Sequence, residues 1–590
     1  MLRKSLPIIL TMLLGFWAAD LMAMQIRSDI AAGSDASAMM DHLAMAFRAP
    51  LRLSLDRVDL LWGLGGACAV GLYHLYRWSM RRTYRDGEEY GSARWATSDE
   101  MAPYTDRNPS QNLQMTATEG LSLDTVGTKR NLNVLMLGSS GARKTSAYVI
   151  PNILKRTMHY ACTDPKGELW DSTAATLRDA GYDTRCLDLI DLTCDTMFNP
   201  LKYIDPMKPD VSIMRLVSNL LANTDSSEAE KHSGDDFWVK SERALLTSLI
   251  AMVYYTKVDE KAGECNLNSV VDLAAKLRAS EEDENMISEV DAKMLGAEEV
   301  WKIFAADEDA WDEQAARTVR GLRFAADQYR PFTQGAGETK KSIIISLGVR
   351  LAPLQVHEVR EIVKDDNIGI DLIGADKSKR MAIYLKIPDE DTTFNFLAAI
   401  FYQCLFDSVF RRTRNMPDKR LPVPLHCFLD EFANVGRIPH FERLISTMRS
   451  RNVGASIILQ TLGQLKSMYP KDWETITGNC DSTLFYGGGE ESTTEWVSKR
   501  LGKQTIDTRE TSESRGVNGS WSISHRRTGR ELMLADELSK MDDDLCIFML
   551  RGLHPFQSRK LGFDQHPTKP RSRLRHSKDW RPIETRLPSD

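Results

Sequence analysis

The tightest constraint on how this chain can fold is a pair of short segments far apart in sequence. Gly138–Thr145 reads GSSGARKT and follows the apolar run Val134-Leu135-Met136-Leu137; Leu425–Glu431 reads LHCFLDE. A glycine-rich turn from a strand into a helix amino terminus clusters backbone N–H donors around an anion, and the closing Lys144-Thr145 adds a compact cation and a hydroxyl. The second segment is a buried-strand pattern ending in two carboxylates, Asp430 and Glu431. Gly138, Ser139, Ser140, Gly141, Ala142, Arg143, Lys144 and Thr145 are therefore read as a phosphate-binding loop. Thr145 and Asp430 are read as holding Mg2+ and its water shell, with Glu431 orienting an attacking water. Arg143 stands where a glycine normally precedes the lysine, which keeps the N–H but restricts the backbone and brings a bulky cation close to the phosphates. For either segment alone, a ligand-free strand-to-helix turn or strand end is the competing reading.

From Glu89 onward, short apolar runs alternate with helix-like patterns, which predicts an α/β fold on a parallel sheet. The expected strands are Val134–Leu137, Tyr160–Thr163, Arg185–Ile190, Ala382–Ile387, Leu425–Leu429, Ala455–Leu459, Ser482–Tyr486 and Leu545–Leu550. Ligands of such sheets gather at the carboxyl ends of the strands. Gly138, Asp164, Asp430 and Gln460 all fall there. Gln460 is read as a sensor of the terminal phosphate or, more blandly, as a strand cap. Arg449 and Arg451, on the helix after the Asp430 strand, could reach a neighbouring subunit's phosphates or could be ordinary surface arginines. Asp164-Pro165-Lys166-Gly167-Glu168 forms a charged turn beside the same edge.

The amino-terminal region is of a different kind. Arg3 and Lys4 precede an apolar stretch from Leu6 to Ala19, and a second stretch runs from Leu60 to Tyr76, followed by Arg77, Arg81, Arg82 and Arg85. Two membrane spans, about residues 6–24 and 59–77, fit this pattern, with both outer ends cytoplasmic and the intervening loop outside. The first stretch is short and is followed by Asp20, so a cleaved signal peptide competes for it. Gly63, Ala67 and Gly71 give the second span a small-residue face suited to close helix contact.

Between about residues 210 and 330 the strand signal stops, which predicts an inserted all-α domain with acidic runs at Glu281–Glu284 and Asp307–Asp309. The remaining divisions are an anchor over 1–78, the two parts of a nucleotide-binding domain over 79–209 and 331–565, and a basic, disordered tail over 566–590. Ser512–Gly529 reads as a mobile loop or hairpin. A net charge of −6 over 590 residues excludes a uniformly basic nucleic-acid wrapper while leaving room for a local groove. The nine cysteines form no C-x-x-C pair, which argues against disulfides and a zinc site. His357-Glu358 lacks the second histidine of a metalloprotease helix, and no G-x-S-x-G elbow is present.

These segments form an ordered series: EYGSARWAT at Glu89–Thr97, the glycine-rich loop with VIPNIL at Val149–Leu154, TDPKGEL at Thr163–Leu169, FWVKSE at Phe237–Glu242, LDEFANVG at Leu429–Gly436, ILQTLGQLK at Ile458–Lys466, GRELMLADEL at Gly529–Leu538 and RGLHPF at Arg551–Phe556. The series resembles the TraG-like coupling proteins of type IV secretion, over nearly the whole chain to about Phe563. The resemblance implies a RecA-like P-loop ATPase, anchored in the inner or plasma membrane with the bulk of the chain cytoplasmic, that assembles as a homo-hexamer. It implies ATP and Mg2+ as cofactors. It also implies delivery of relaxase-bound single-stranded DNA, or of proteins, to the components of a secretion channel. Carried onto this sequence, Lys144 and Thr145 hold phosphates and metal, Asp430 and Glu431 are the acidic pair, Gln460 is the sensor and Arg449 the trans arginine. The all-α insertion matches the family's substrate-recognition domain. A nucleotide-binding receptor without motor activity and a chromosome-segregation DNA translocase are the alternatives, the first favoured by Arg143.

Overall fold

The computed structural model describes residues 2–48, 52–80, 85, 87–224, 235–258, 262–283, 286–513 and 521–562. It divides into two compact units, Met1–Glu89 and Tyr90–Asp590. The tail expected over 566–590 and the tip of the 512–529 segment lie outside the described residues, as do Arg81, Arg82 and Glu284.

In the first unit, helices Leu2–Ala32 and Arg57–Ser79 are joined through a short helix, Ala36–Ala46. Two stretches, Pro7–Ala32 and Arg57–Ser79, are long and apolar enough to cross a membrane. The first runs further than the sequence pattern indicated, because Asp20 does not interrupt it. Asp20 is fully buried and accepts the Ser54 N–H at 2.8 Å, Ser54 donates its hydroxyl to Asp59 at 2.6 Å, and Arg27 pairs with Asp59 at 2.8 Å. A buried carboxylate is tolerable only with such partners. The small-residue face of the second helix is used within the chain. A Cβ on Gly66 would meet the Gly15 carbonyl and the Ala19 methyl at 2.6 Å, one on Gly63 the Phe16 ring at 2.9 Å, and one on Gly71 Met12 at 3.2 Å. The two helices therefore run antiparallel with their backbones nearly touching.

The second unit is built on a nine-stranded sheet among the described residues. Its strands are β1 (Val134–Leu137), β2 (His159–Asp164), β3 (Tyr182–Asp188), β4 (Arg380–Lys386), β5 (Leu425–Leu429), β6 (Val453–Leu459), β7 (Ser482–Phe485), β8 (Leu545–Leu550) and β9 (Phe556–Arg559). Their order is β9-β8-β7-β1-β6-β5-β2-β4-β3. The run from β7 to β3 is parallel, and β8 and β9 add an antiparallel edge. All eight expected strands are present; β9 was not expected, and its pattern Phe-Gln-Ser-Arg carries one apolar residue.

Successive residues of each central strand point to opposite faces, and both faces are covered. Leu135, Leu137, Ile457 and Leu459 face one core, Val134, Met136 and Ile458 the other. This double burial explains why the strands read as unbroken apolar runs. The first core includes Asn395–Arg414, a helix buried over most of its length. Between β3 and β4 lie helices Pro209–Asn223, Asp235–Lys257, Leu267–Ala274, Glu289–Ala306, Glu313–Thr333, Gly337–Leu351 and His357–Ile362. Ordinary amino-terminal caps start several of them: Asn266 accepts the Ser269 N–H, Ser288 and Asp291 form a capping box, and Asp312 accepts the Ala315 N–H. The helices continue past residue 330 to Ile362, since Gly337–Leu351 buries Ile343, Leu347 and Leu351 in the same core. The expected hairpin is a ribbon of Lys503–Glu513 on Trp521–Glu531.

The packing of the membrane-type helices yields a direct test. Leu in place of Gly66 has to displace backbone, so Gly66→Leu is expected to separate the helices. In membranes, a cysteine pair placed at Phe16 and Gly63 should cross-link efficiently in the parent chain and poorly with Gly66→Leu; equal cross-linking would refute this packing.

Candidate functional site

Strand order decides which side chains meet. β1 lies between β6 and β7, and β6 separates it from β5. The turn after β1 is therefore flanked by Gln460 at the end of β6 and by Tyr486-Gly487 at the end of β7, with Asp430 and Glu431 one strand beyond. Backbone bonds fix it there: Gly138 N–H donates to Leu459 O at 3.1 Å and Ser139 N–H to Gly487 O at 3.0 Å.

The turn itself is exposed from Ser139 to Gly141 and buried at Lys144. Gly141 and Arg143 take left-handed backbone angles, φ 79° and 64°. The first is easy for glycine. The second shows why glycine is usual before the lysine, because an L side chain pays about 1–2 kcal/mol in that region. The Arg143 side chain leaves the loop and binds Asp543 O at 2.9 Å and the Asp544 carboxylate at 2.5 Å. After Lys144 the chain makes a π-helical turn over Thr145–Val149, then α-helix to Ile153.

Lys144 Nζ donates to the carbonyls of Gly138 and Ser139 at 2.7 and 3.0 Å. Thr145 Oγ1 donates to Asp430 Oδ2 at 2.6 Å. Gln460 Nε2 donates to Glu431 Oε1 at 3.4 Å, and Asn434 Nδ2 to Glu431 Oε2 at 3.3 Å. Glu431 has φ 50°, a second non-glycine residue in the left-handed region and a mark of a position held by its surroundings. The Gln460 N–H is taken by Gln464 Oε1 at 2.9 Å, while its side chain turns to Glu431.

Burial governs the electrostatics. Asp430 is 3% exposed, and desolvation pushes its carboxyl up to about 6 against the opposing pull of Thr145 and Lys144. Desolvation likewise lowers Lys144, with Asp430 and Glu431 working against it. On the neighbouring strand end, burial pushes Asp164 up to about 6. A threonine hydroxyl and a buried carboxylate meeting at one point are the hard oxygen donors that Mg2+ takes, so the residues fit that ion.

Arg449 lies elsewhere. Its helix, Phe441–Arg451, runs back from the site and ends just before β6 begins, which puts Arg449 at the amino edge of the sheet. There it binds Thr125 O at 3.1 Å. Arg451 sits at the same edge, on Lys419 O at 3.3 Å. Two participants were not anticipated from sequence. Gly487 abuts Ser139, and Lys560, 7% exposed, donates to Ala142 O and Tyr486 O at 3.2 and 2.9 Å. The three consecutive glycines after β7 were a visible signal; a lysine beyond a short edge strand was not.

The buried carboxylate makes a stability prediction. Its folded pKa near 6 lies above the ordinary 3.8, so between those values the folded chain keeps a proton that the unfolded chain has lost. Stability from this group is present at pH 4 and lost as pH rises through 6, by about 2–4 kcal/mol. Asp430→Asn should therefore raise the melting temperature of nucleotide- and metal-free protein at pH 7.5, and the gain should shrink as pH falls and vanish below the ordinary carboxyl value of 3.8. A gain independent of pH would contradict this.

A family model described as type IV secretory system conjugative DNA transfer matches residues 94–575. Protein VirD4 of Rhizobium rhizogenes is 23% identical over 575 residues, 95% of this chain and 78% of that protein. The conjugal transfer protein TraG of Rhizobium radiobacter is 22% identical, over 72% of this chain and 60% of its own length. Among solved structures, unbound TrwBdeltaN70, a bacterial conjugative coupling protein, superposes with a TM-score of 0.51 at 13% identity, covering 81% of this chain and 96% of that one. TrwB in complex with ADP and Mg2+ gives 0.50 at 13% identity, covering 80% and 96%. At such identities the structures speak to fold, which is that of RecA-like NTPases. With the family model extending from Arg94 through the last strand of the sheet, this chain belongs to the type IV secretory system conjugative DNA-transfer family, the coupling proteins.

Proposed function

We propose that this chain is a membrane-anchored coupling ATPase, inserted in the inner or plasma membrane with its second unit in the cytoplasm. It binds Mg-ATP at the carboxyl edge of the sheet, assembles as a homo-hexameric ring, and recruits relaxase-bound single-stranded DNA or protein substrates to a type IV secretion channel. One observation carries the reading: Lys144, Thr145, Asp430, Glu431 and Gln460 converge on one edge of the sheet, while Arg449 stands at the other. Support also comes from relatives named for conjugal transfer and from TrwB solved with ADP and Mg2+ and with a non-hydrolysable ATP analogue.

In this reading the backbone N–H groups of Gly138–Thr145 cradle the phosphates, and Lys144 exchanges its two loop carbonyls for phosphate oxygens. Thr145 and Asp430 hold the metal, which when bound neutralises phosphate charge as it develops. Glu431, kept in place by Gln460 and Asn434, orients the water, and Gln460 senses whether the terminal phosphate is present. Arg449 cannot reach its own chain's site, so it serves the neighbour's, and a lone subunit is incomplete. The tether of Arg143 to Asp544 keeps its guanidinium off the phosphates. The left-handed strain at Arg143 is the one feature that favours the second reading, a nucleotide-binding receptor that does not turn over.

ATP turnover by detergent-solubilised protein with single-stranded DNA separates these readings. Lys144→Ala should abolish nucleotide binding. Glu431→Gln should retain binding and lose about 100-fold or more in turnover, and Arg449→Ala about 1000-fold. Mixing Arg449→Ala with Lys144→Ala protein should restore part of the activity, because each intact site of the first can be completed by an arginine from the second. No recovery on mixing would sink the trans role. Wild-type turnover no higher than that of Glu431→Gln would leave the receptor.

A further inference from the structure

Residues flanking the edge hairpin β8–β9 hold two consecutive residues of the phosphate loop. Arg143 is held by Asp543 and Asp544 just before β8, and the Ala142 carbonyl is held by Lys560 just after β9. The two anchor points are themselves joined, since Lys560 N–H donates to Asp544 O at 2.8 Å. Lys560 is a buried cation, which is costly unless its donors are used. Here Nζ spans two carbonyls, Ala142 O and Tyr486 O, and lies 5.1 Å from the Tyr486 ring centroid. Tyr486 in turn donates its N–H to Leu137 O at 2.8 Å. One side chain thus ties the loop, the end of β7 and the hairpin together.

The peptide geometry gives this tie a consequence. Across a trans peptide the C=O of one residue and the N–H of the next point in opposite directions. A lysine gripping the Ala142 carbonyl therefore fixes the direction of the Arg143 N–H, one of the loop's donors. The ion pair with Asp544 fixes the same residue from its other end, in the left-handed conformation that an arginine does not favour. Both partners of that pair are well exposed, so it steers more than it stabilises. Burial lowers the affinity of Lys560 for its proton, with Arg143 adding to the effect.

Resting on the nucleotide reading above, we infer that Lys560 is a positioning residue for phosphate binding, and that the β8–β9 hairpin is coupled to nucleotide occupancy through Lys560 and the Arg143–Asp544 pair. By linkage, whatever the hairpin contributes to nucleotide affinity, nucleotide contributes to holding the hairpin.

The test uses the full chain in detergent, with Mg2+ and a fluorescent ADP analogue as the probe, and hydrogen exchange over Leu545–Arg559. In the wild type, ADP should slow exchange in the hairpin severalfold. Lys560→Met should weaken ADP binding about tenfold, which is 1.4 kcal/mol, and abolish the ADP-dependent protection. The melting temperature of its nucleotide-free form should stay close to that of the wild type. Asp544→Ala should weaken binding in the parent chain but have no further effect in an Arg143→Gly background. The inference falls if Lys560→Met binds ADP as the wild type does, or if ADP leaves hairpin exchange unchanged in a wild type that binds it. A wild type that binds no ADP, like its Lys144→Ala control, would instead take down the nucleotide reading itself.

Discussion

A strand buried on both faces can carry polar chemistry only where it ends. β1, β5 and β6 have no exposed residue along their length, and each is followed at its carboxyl end by the groups that make the site. The same burial sets the energetics. Asp430 is placed far enough inside to be costly as an anion, and its partners Thr145 and Lys144 offset only part of that cost. An arrangement uncomfortable without a cation is well suited to receiving one. The left-handed backbone at Arg143 and Glu431 adds strain at the same edge, where functional sites commonly store it.

Much of this was legible in the residues. Apolar runs located the eight strands because double burial removes the alternation that would otherwise have to be decoded, and glycine, lysine and carboxylate placement marked their ends. Arg143 was visible as an anomaly, although its partner Asp544 was not, because the two are distant in sequence and the pairing depends on an antiparallel edge. β9 escaped because a short edge strand need bury only one residue, Phe556. The hairpin expected over Ser512–Gly529 was legible, but not that its strands begin as early as Lys503, because Lys503–Arg509 is almost wholly polar and shows no apolar alternation. The role of Lys560 could not be read at all, since a lysine near a basic segment looks like any solvated one.

The first unit shows how pairing decides what composition leaves open. Asp20 counted against a span when read by composition, yet Ser54, Asp59 and Arg27 close a polar cluster around it at one end of the paired helices. Small residues on the second helix, read as a surface for other helices, are consumed by the first helix of the same chain. Whether a small-residue face looks inward or outward is a matter of pairing, which composition does not encode.

The strand order also dictates when the protein can come into being. β1, β2 and β3 precede the helical insertion, and none of them is a neighbour of another; every strand pairing they make is with β4, β5, β6 or β7. The amino-terminal part of the sheet therefore has no hydrogen-bonded ladder of its own. While the chain is being synthesised, the insertion can form from local contacts, whereas the glycine-rich loop has to wait for strands that emerge much later, the slow kind of assembly that long-range pairing imposes. A phosphate loop whose two flanking strands come more than 300 residues later in the chain is thus among the last parts of the sheet to gain its walls.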